Sequence, residues 1–224
     1  MNTLIHWKKM KSIKSKTSTL ALLAIATLFA FACGQKKAEA KKLLLPVYGT
    51  KMVTTTGDTV YHSIKDFSLL NQYKEIVTLQ AVQNKIYVAN FFFTTCQSIC
   101  PAMSNQLSRV QQAEKDNPDF LILSHTVNPM HDTAEVLLEY AGKYGAVKNK
   151  WHFLTGDKKA IYTLAKEDYM VNALQDDGTP EGFIHSEALL LIDTQHRIRG
   201  IYDGTDSLQV NKLISDITIL KKEK

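Results

Sequence analysis

Cysteine is scarce in this chain: 224 residues hold three, Cys33, Cys96 and Cys100. Acidic residues are missing altogether from residues 1–32, which carry Lys8, Lys9, Lys11, Lys14 and Lys16. That absence accounts for the formal net charge of +5: subtracting these five from 27 basic residues leaves 22, against 22 acidic ones. Residues 33–224 are therefore neutral by count, which removes the case for nucleic-acid binding. No internal repeat is present, and no low-complexity tract beyond one short tether. With 45% hydrophobic and 22% charged residues, the composition suits one globular domain plus extensions.

A bilayer-length apolar run is lacking near the N-terminus as well. Leu20–Ala32 is apolar over 13 residues, whereas a spanning helix needs about 20. Preceded by the lysines and followed by Cys33-Gly34, this run reads as an export signal. Small Ala32 directly before Cys33 resembles a bacterial lipoprotein signal, in which the cysteine is lipidated and becomes the new N-terminus. Ala30 stands where such signals usually have leucine, and bulky Phe31 follows. The alternatives are an ordinary signal peptide or an N-terminal anchor that uses flanking residues. The expected organisation is a signal over 1–32, a lipidated cysteine and polar tether over 33–42, and a folded domain over 43–224. The expected location is the bacterial cell envelope, facing the periplasm and lipid-anchored to a membrane. If Cys33 carries lipid, one cysteine pair remains in an oxidising compartment, with no third thiol to scramble it.

The tether, Gly34–Lys42, has nothing to bury. Thr50–Val60, threonine-rich around Gly57-Asp58, predicts a hairpin. Ile64–Leu69 and Glu75–Thr78 predict short strands, and the bulky run Ile86–Phe93 a buried one. Pro101–Lys115 predicts a helix with Met103, Leu107, Val110 and Ala113 toward the core. Asp119–Val127 is a second buried strand, and strand–helix–strand here implies a right-handed crossover and a parallel pair. Asp132-Thr133 caps a helix reaching about Tyr144, with Val136, Leu137, Tyr140 and Ala141 on one face. Trp151–Leu154 is a strand, Asp157–Lys166 a helix, and residues 167–184 a loop with a turn at Gln175–Pro180. Glu187–Asp193 and Arg197–Tyr202 form an antiparallel hairpin, and Leu208–Leu220 a last helix. The order fits an α/β, thioredoxin-like fold: a central mixed β-sheet flanked by helices, with an N-terminal β-hairpin extension.

The candidate chemistry sits at Cys96 and Cys100. Both lie where a buried strand gives way to a helix, so unpaired backbone N–H groups and the helix dipole favour thiolate over thiol. Their spacing exceeds the Cys-x-x-Cys of thioredoxin-type motifs by one residue and places them one helical turn apart. A redox disulfide remains open if Cys96 lies just outside the helix. So does a grip on one soft metal ion, and so does a plain disulfide stapling the loop. Sulfur selects Cu(I), Zn or iron–sulfur clusters, and two thiolates need at least one further ligand. Among the histidines, His6 leaves with the signal. His62 and His152 read as packing residues, and His196 as solvated on a hairpin turn. His125 and His131 lie at the C-terminal end of a parallel strand, where α/β sheets place their ligands. His185 follows the long loop and precedes a strand. Taken alone, these residues rank His185 no higher than His125.

Together, four blocks resemble the Sco/SenC family of thioredoxin-fold copper proteins, which serve assembly of the binuclear copper centre of cytochrome c oxidase. Phe92–Pro101 with Met103 is similar to the family's Cys-x-x-x-Cys-Pro signature. Thr126–Thr133 with Leu137, Tyr140 and Ala141 resembles a second block, and Trp151–Gly156 a third. Ile184-His185-Ser186, Leu191-Ile192-Asp193 and Tyr202-Asp203-Gly204 resemble the stretch bearing the metal-binding histidine. The blocks keep family order from about Leu43 to the C-terminus. The resemblance implies copper ligation, as Cu(I) or Cu(II), by Cys96, Cys100 and His185. Asn128 departs from the family's usual aspartate and removes a negative charge near that site. The lipid anchor departs from family members held by a transmembrane helix.

The implied function is a copper metallochaperone delivering the ion to the copper-bearing subunit of cytochrome c oxidase or another cuproprotein. The alternative is a periplasmic thiol–disulfide oxidoreductase in which Cys96 attacks, Cys100 resolves, and a cuproprotein's cysteine pair is the substrate. A copper or redox sensor is a third reading. A peroxidase-like role is the weakest: no basic residue is clearly placed to activate a peroxide at Cys96 unless Arg109 folds back.

Overall fold

The computed structural model describes residues 44–171 and 186–223. Residues 1–43, which carry the expected signal, Cys33 and the tether, lie outside the described residues, as do the expected turn at 175–180 and His185. Strands β1 (Lys51–Val53) and β2 (Thr59–Tyr61) pair antiparallel as a separate two-stranded sheet. Their turn closes through Thr54 N–H to the Asp58 carbonyl (2.8 Å), with Gly57 at φ +86°, a conformation glycine adopts without penalty.

The main sheet has seven strands among the described residues, in the order β4-β3-β7-β6-β5-β8-β9. They are β3 (Ser68–Asn71), β4 (Ile76–Thr78), β5 (Ile86–Phe92), β6 (Phe120–Thr126), β7 (Trp151–Thr155), β8 (Ala188–Ile192) and β9 (Ile198–Asp203). The central trio β7-β6-β5 is parallel and every flanking pair antiparallel, the mixed arrangement expected from the sequence. All seven residues of β5 and all seven of β6 are buried, so both read as unbroken apolar runs rather than alternating ones. Asn90, polar within such a run, is satisfied because the Ser124 hydroxyl donates to its side-chain oxygen at 2.6 Å. The first strand expected over 64–69 begins later, at Ser68. The backbone N–H of Ile64 instead donates to the His196 carbonyl at 2.9 Å, holding that segment across the β8–β9 turn.

Helix α1 (Ile99–Ala113) crosses between β5 and β6 and buries Met103, Leu107 and Val110, spaced four and three apart along one stripe. Each such side chain contributes on the order of 2 kcal/mol through burial. Ala113 is exposed, contrary to expectation. The helix ends there, and the next buried residue is Glu114, whose carboxylate is held by Lys221 Nζ at 3.0 Å. Helix α2 (Ala134–Lys143) starts from Thr133, whose hydroxyl accepts from Val136 N–H, and buries Leu137, Tyr140 and Ala141 while Val136 is half-buried. Helix α3 (Lys158–Thr163) is capped by Asp157 and continues as a π-helical turn, Leu164–Asp168, and α4 (Ser207–Lys221) is capped by Asp206.

Aromatic contacts assign the faces. Tyr140 of α2 packs against Phe92 and Phe153 and meets Ser104 of α1 at 3.1 Å, so α1 and α2 cover one face. Tyr169, just after the π turn, packs against Phe91 and His125 on the other. Buried Arg199 joins both ends of the domain, donating to the carbonyls of Leu45 (2.7 Å) and Pro46 (2.9 Å) and pairing with Asp193 and Glu223. This layered sheet leaves the C-terminal ends of β5 and β6 together at one edge, where the cysteine loop begins.

Candidate metal centre

Residues 93–98 connect the end of β5 to α1. The helix starts at Ile99 rather than Pro101, so Cys100 lies within the first turn and Cys96 outside it. Pro101 follows in that same turn, where its missing N–H costs nothing. Both cysteines are buried thiols, not joined in a disulfide. Ser98 occupies the helix N-cap but does not cap with its side chain; its hydroxyl stands 3.5 Å from Cys96 Sγ instead.

The two sulfurs are electrostatically unequal. Burial pushes the Cys96 thiol up, yet hydrogen bonds from the Ser98 hydroxyl, the Cys100 backbone and thiol, and the Ser98 backbone outweigh it. The net result is a thiol below the ordinary cysteine value. Burial holds Cys100 far above that value; a hydrogen bond from the Phe93 backbone only partly offsets it, and neighbouring Cys96 raises it further. Cys96 is therefore the sulfur poised as thiolate, the form that attacks disulfides and binds metals.

A buried carboxylate fixes the loop from below. Asp132 is fully buried and accepts from the Thr94 N–H (3.1 Å), the Thr94 hydroxyl (2.5 Å), the Thr126 hydroxyl and His131 Nδ1 (2.9 Å). It ties the start of the cysteine loop to the end of β6. The sequence suggested only a helix cap at Asp132-Thr133. Thr133 does that, while Asp132 turns inward. The residues before it, Asn128-Pro129-Met130-His131, gave no sign of this role; the one readable signal was a carboxylate six residues past a buried strand's end.

The histidines separate clearly. His125 is a core residue: completely buried, stacked on Phe91 at 4.9 Å, with Nδ1 3.3 Å from the Asn90 carbonyl and Nε2 lacking a hydrogen-bond partner among the described residues. Burial lowers its pKa to about 4, so it is neutral at physiological pH. His131 is half-exposed and its Nδ1 also lies 3.4 Å from Thr94 Oγ1, beside the cysteine loop. His62, just past β2, contacts the Asp168 carbonyl, and His152 contacts Asn71, so both hydrogen-bond to residues far along the chain instead of only packing. His196 is half-buried rather than solvated, because the Ile64 backbone closes over its turn, and burial lowers its pKa. Arg109 pairs with Gln106 and Asn211 between α1 and α4 and does not fold toward Cys96. The Asn128 N–H donates to the Thr126 hydroxyl at 3.0 Å.

Among the described residues, no group of three or more His, Cys, Asp or Glu is placed to hold a metal ion. Two of the three expected ligands, Cys96 and Cys100, are brought together. The third, His185, lies outside the described residues, but its neighbour Ser186 lines the same small cleft as Cys100, with Phe93, Ile99 and Val127. A roomier cleft of about 740 Å³ opens near Lys85, Lys115, Pro118 and His152. It lies at the opposite ends of β5 and β6 and shares no residue with the cysteine loop.

Residues 55–221 match the SCO1/SenC family model. A SCO1 protein homolog of Bacillus subtilis (strain 168) is 26% identical over 162 residues, 71% of this chain and 83% of that protein. Among solved structures, BsSco, studied for a disulfide switch and described as a member of the Sco family of cytochrome c oxidase assembly proteins, superposes with a TM-score of 0.64. It is 27% identical, with 73% of this chain and 95% of that one covered. ScoI of Arabidopsis thaliana with copper bound has a TM-score of 0.60 at 22% identity, covering 71% and 98%, and shares the fold.

Proposed function

Since this chain belongs to the SCO1/SenC family, we propose that it is a copper metallochaperone. In this reading Cys96, Cys100 and His185 bind the ion, and the recipient is the copper-bearing subunit of cytochrome c oxidase or another cuproprotein. The observation that carries this reading is the junction itself: two thiols at a strand-to-helix turn, Cys96 lowered toward thiolate and Cys100 lining a small cleft with Ser186. Ser186 directly follows His185 in the sequence. Two thiolates and a neutral imidazole give net charge −1 with Cu(I) and zero with Cu(II). Soft sulfur suits the first and imidazole lets the set accept the second. Three protein ligands leave coordination space for a recipient's side chain to begin transfer. The copper bound by the Arabidopsis relative and the oxidase-assembly role of BsSco support the reading.

A second reading, thiol–disulfide exchange on a recipient's cysteine pair, is favoured by the inequality of the two sulfurs. Cys96 attacks a partner disulfide as thiolate, the partner's leaving sulfur takes a proton, and Cys100 resolves the mixed disulfide. The two electrons pass to the partner, and the resulting Cys96–Cys100 disulfide can no longer hold the ion, so redox state and copper occupancy are coupled. Residues 1–42 complete the proposal: a signal over 1–32, lipid on Cys33, and a tether that holds the domain at a membrane of the cell envelope. The test is an anaerobic Cu(I) titration of the dithiol and disulfide forms in parallel. One tight equivalent in the dithiol and none in the disulfide is expected; equal binding by both places copper elsewhere.

A further inference from the structure

The loop after β6 presents two soft-metal donors that the inner site does not use. His131 is anchored by Nδ1 to Asp132, a carboxylate fully buried and already accepting from Thr94 and Thr126. A carboxylate accepts, so Nδ1 carries the proton of this contact and Nε2 is the ring nitrogen a metal would take. This carboxylate–imidazole pairing is what orients metal-ligating histidines and raises their basicity. The ring is half-exposed to solvent. Next to it Met130 is 85% exposed, a large apolar side chain held in water. Apolar side chains standing singly in solvent are ordinary; what distinguishes this one is a thioether next to an anchored imidazole. Thioether and imidazole together favour Cu(I). The pair is close to the cysteines: His131 touches Thr94, whose Cα is within roughly 7 Å of that of Cys96, two residues on.

From this placement we infer that Met130 and His131 form an outer docking site that captures Cu(I) at the mouth of the cysteine loop and passes it inward. The inference rests on the metallochaperone reading and adds the route by which the ion arrives. Two donors bind weakly and leave the remaining coordination positions open. The ion is therefore held long enough to meet the Cys96 thiolate and is not retained once sulfur competes. Copper keeps its oxidation state through the hand-off, and any thiol proton the metal displaces is released to solvent.

The test uses the full protein in two forms. In the first, Cys96→Ser/Cys100→Ser removes the inner sulfurs, and Ag(I), a redox-inert soft ion, is titrated while the Met130 methyl and His131 ring signals are followed by NMR. Saturable shifts at both residues and at the neighbouring Thr94 amide are expected, the last of these lost in the same protein carrying Met130→Leu/His131→Gln; absence of shifts at either residue overturns the inference. In the second, anaerobic stopped-flow loading of Cu(I) into the reduced protein is expected to slow at least ~tenfold with Met130→Leu/His131→Gln. An unchanged loading rate overturns it as well. Because the Ag(I) shifts are read without either cysteine, failure of the inner copper site and failure of the outer site give different results.

Discussion

Cys96 and Cys100 are four residues apart, yet backbone geometry gives them opposite acid–base character. Cys96 receives hydrogen bonds from the start of α1 that burial does not cancel, whereas burial dominates at Cys100. A depressed pKa keeps thiolate present to lower pH than an ordinary cysteine, and a raised one keeps the neighbour protonated. Iodoacetamide at pH 7 should therefore label Cys96 first, and the rate should persist as pH falls below the usual thiol range. Peptide mapping reads this directly, and equal labelling of both would contradict the assignment. The sequence made the pair legible as a candidate, because a bulky strand, two cysteines and a proline sit in a row. It left the inequality hidden, because that depends on Ser98 turning to Cys96 instead of capping its helix. Asp132 was obscured for the same reason. Its role exists only once β5 and β6 bring Thr94 and Thr126 together around it.

At the scale of elements, β6 shows how one strand serves two purposes. Its alternate residues face opposite sides of the sheet, so His125 enters the aromatic cluster of Phe91 and Tyr169 while Thr126 turns to the Asp132 clamp. A histidine at the C-terminal end of a parallel strand is reasonably read as a ligand candidate from sequence. The face it takes is decided by register, Phe91 opposite His125, which periodicity in an all-buried run cannot reveal. Its burial has a consequence for stability. The folded pKa is about 4, against 6.5 for the free ring, so between those values the unfolded chain binds more protons and stability falls as pH drops. The contribution is complete above about pH 6.5 and lost on approaching pH 4, an effect on the order of 3 kcal/mol. Urea unfolding between pH 7 and 4.5 should show this slope. His125→Phe should flatten it, leaving the shares of half-buried His152 and His196, whose pKa values burial also lowers. An unchanged slope in the variant would place the linkage elsewhere.

At the scale of the whole chain, strand order, helix faces and parallel core among the described residues follow the pattern of apolar runs. That pattern was legible because buried parallel strands are unbroken and surface helices periodic. The polar satisfaction of Asn90, the Arg199 junction and the late start of β3 were not, since each depends on partners far along the chain. The N-terminal unit carries its own prediction. Cys33→Ser should move the protein from the membrane to the soluble fraction of an expressing bacterium while leaving copper binding intact. Retention of the variant at the membrane would mean that Leu20–Ala32 is itself the anchor.

The three-ligand copper site is tested most directly by an anaerobic Cu(I) competition titration of the reduced domain from residue 43 onward, beside its His185→Ala variant. The account predicts one tight equivalent in the unaltered domain and affinity weakened at least ~tenfold, about 1.4 kcal/mol, without the histidine. Equal affinity in the two proteins, or no tight equivalent in either, would contradict it and leave Cys96 and Cys100 as an exchange pair.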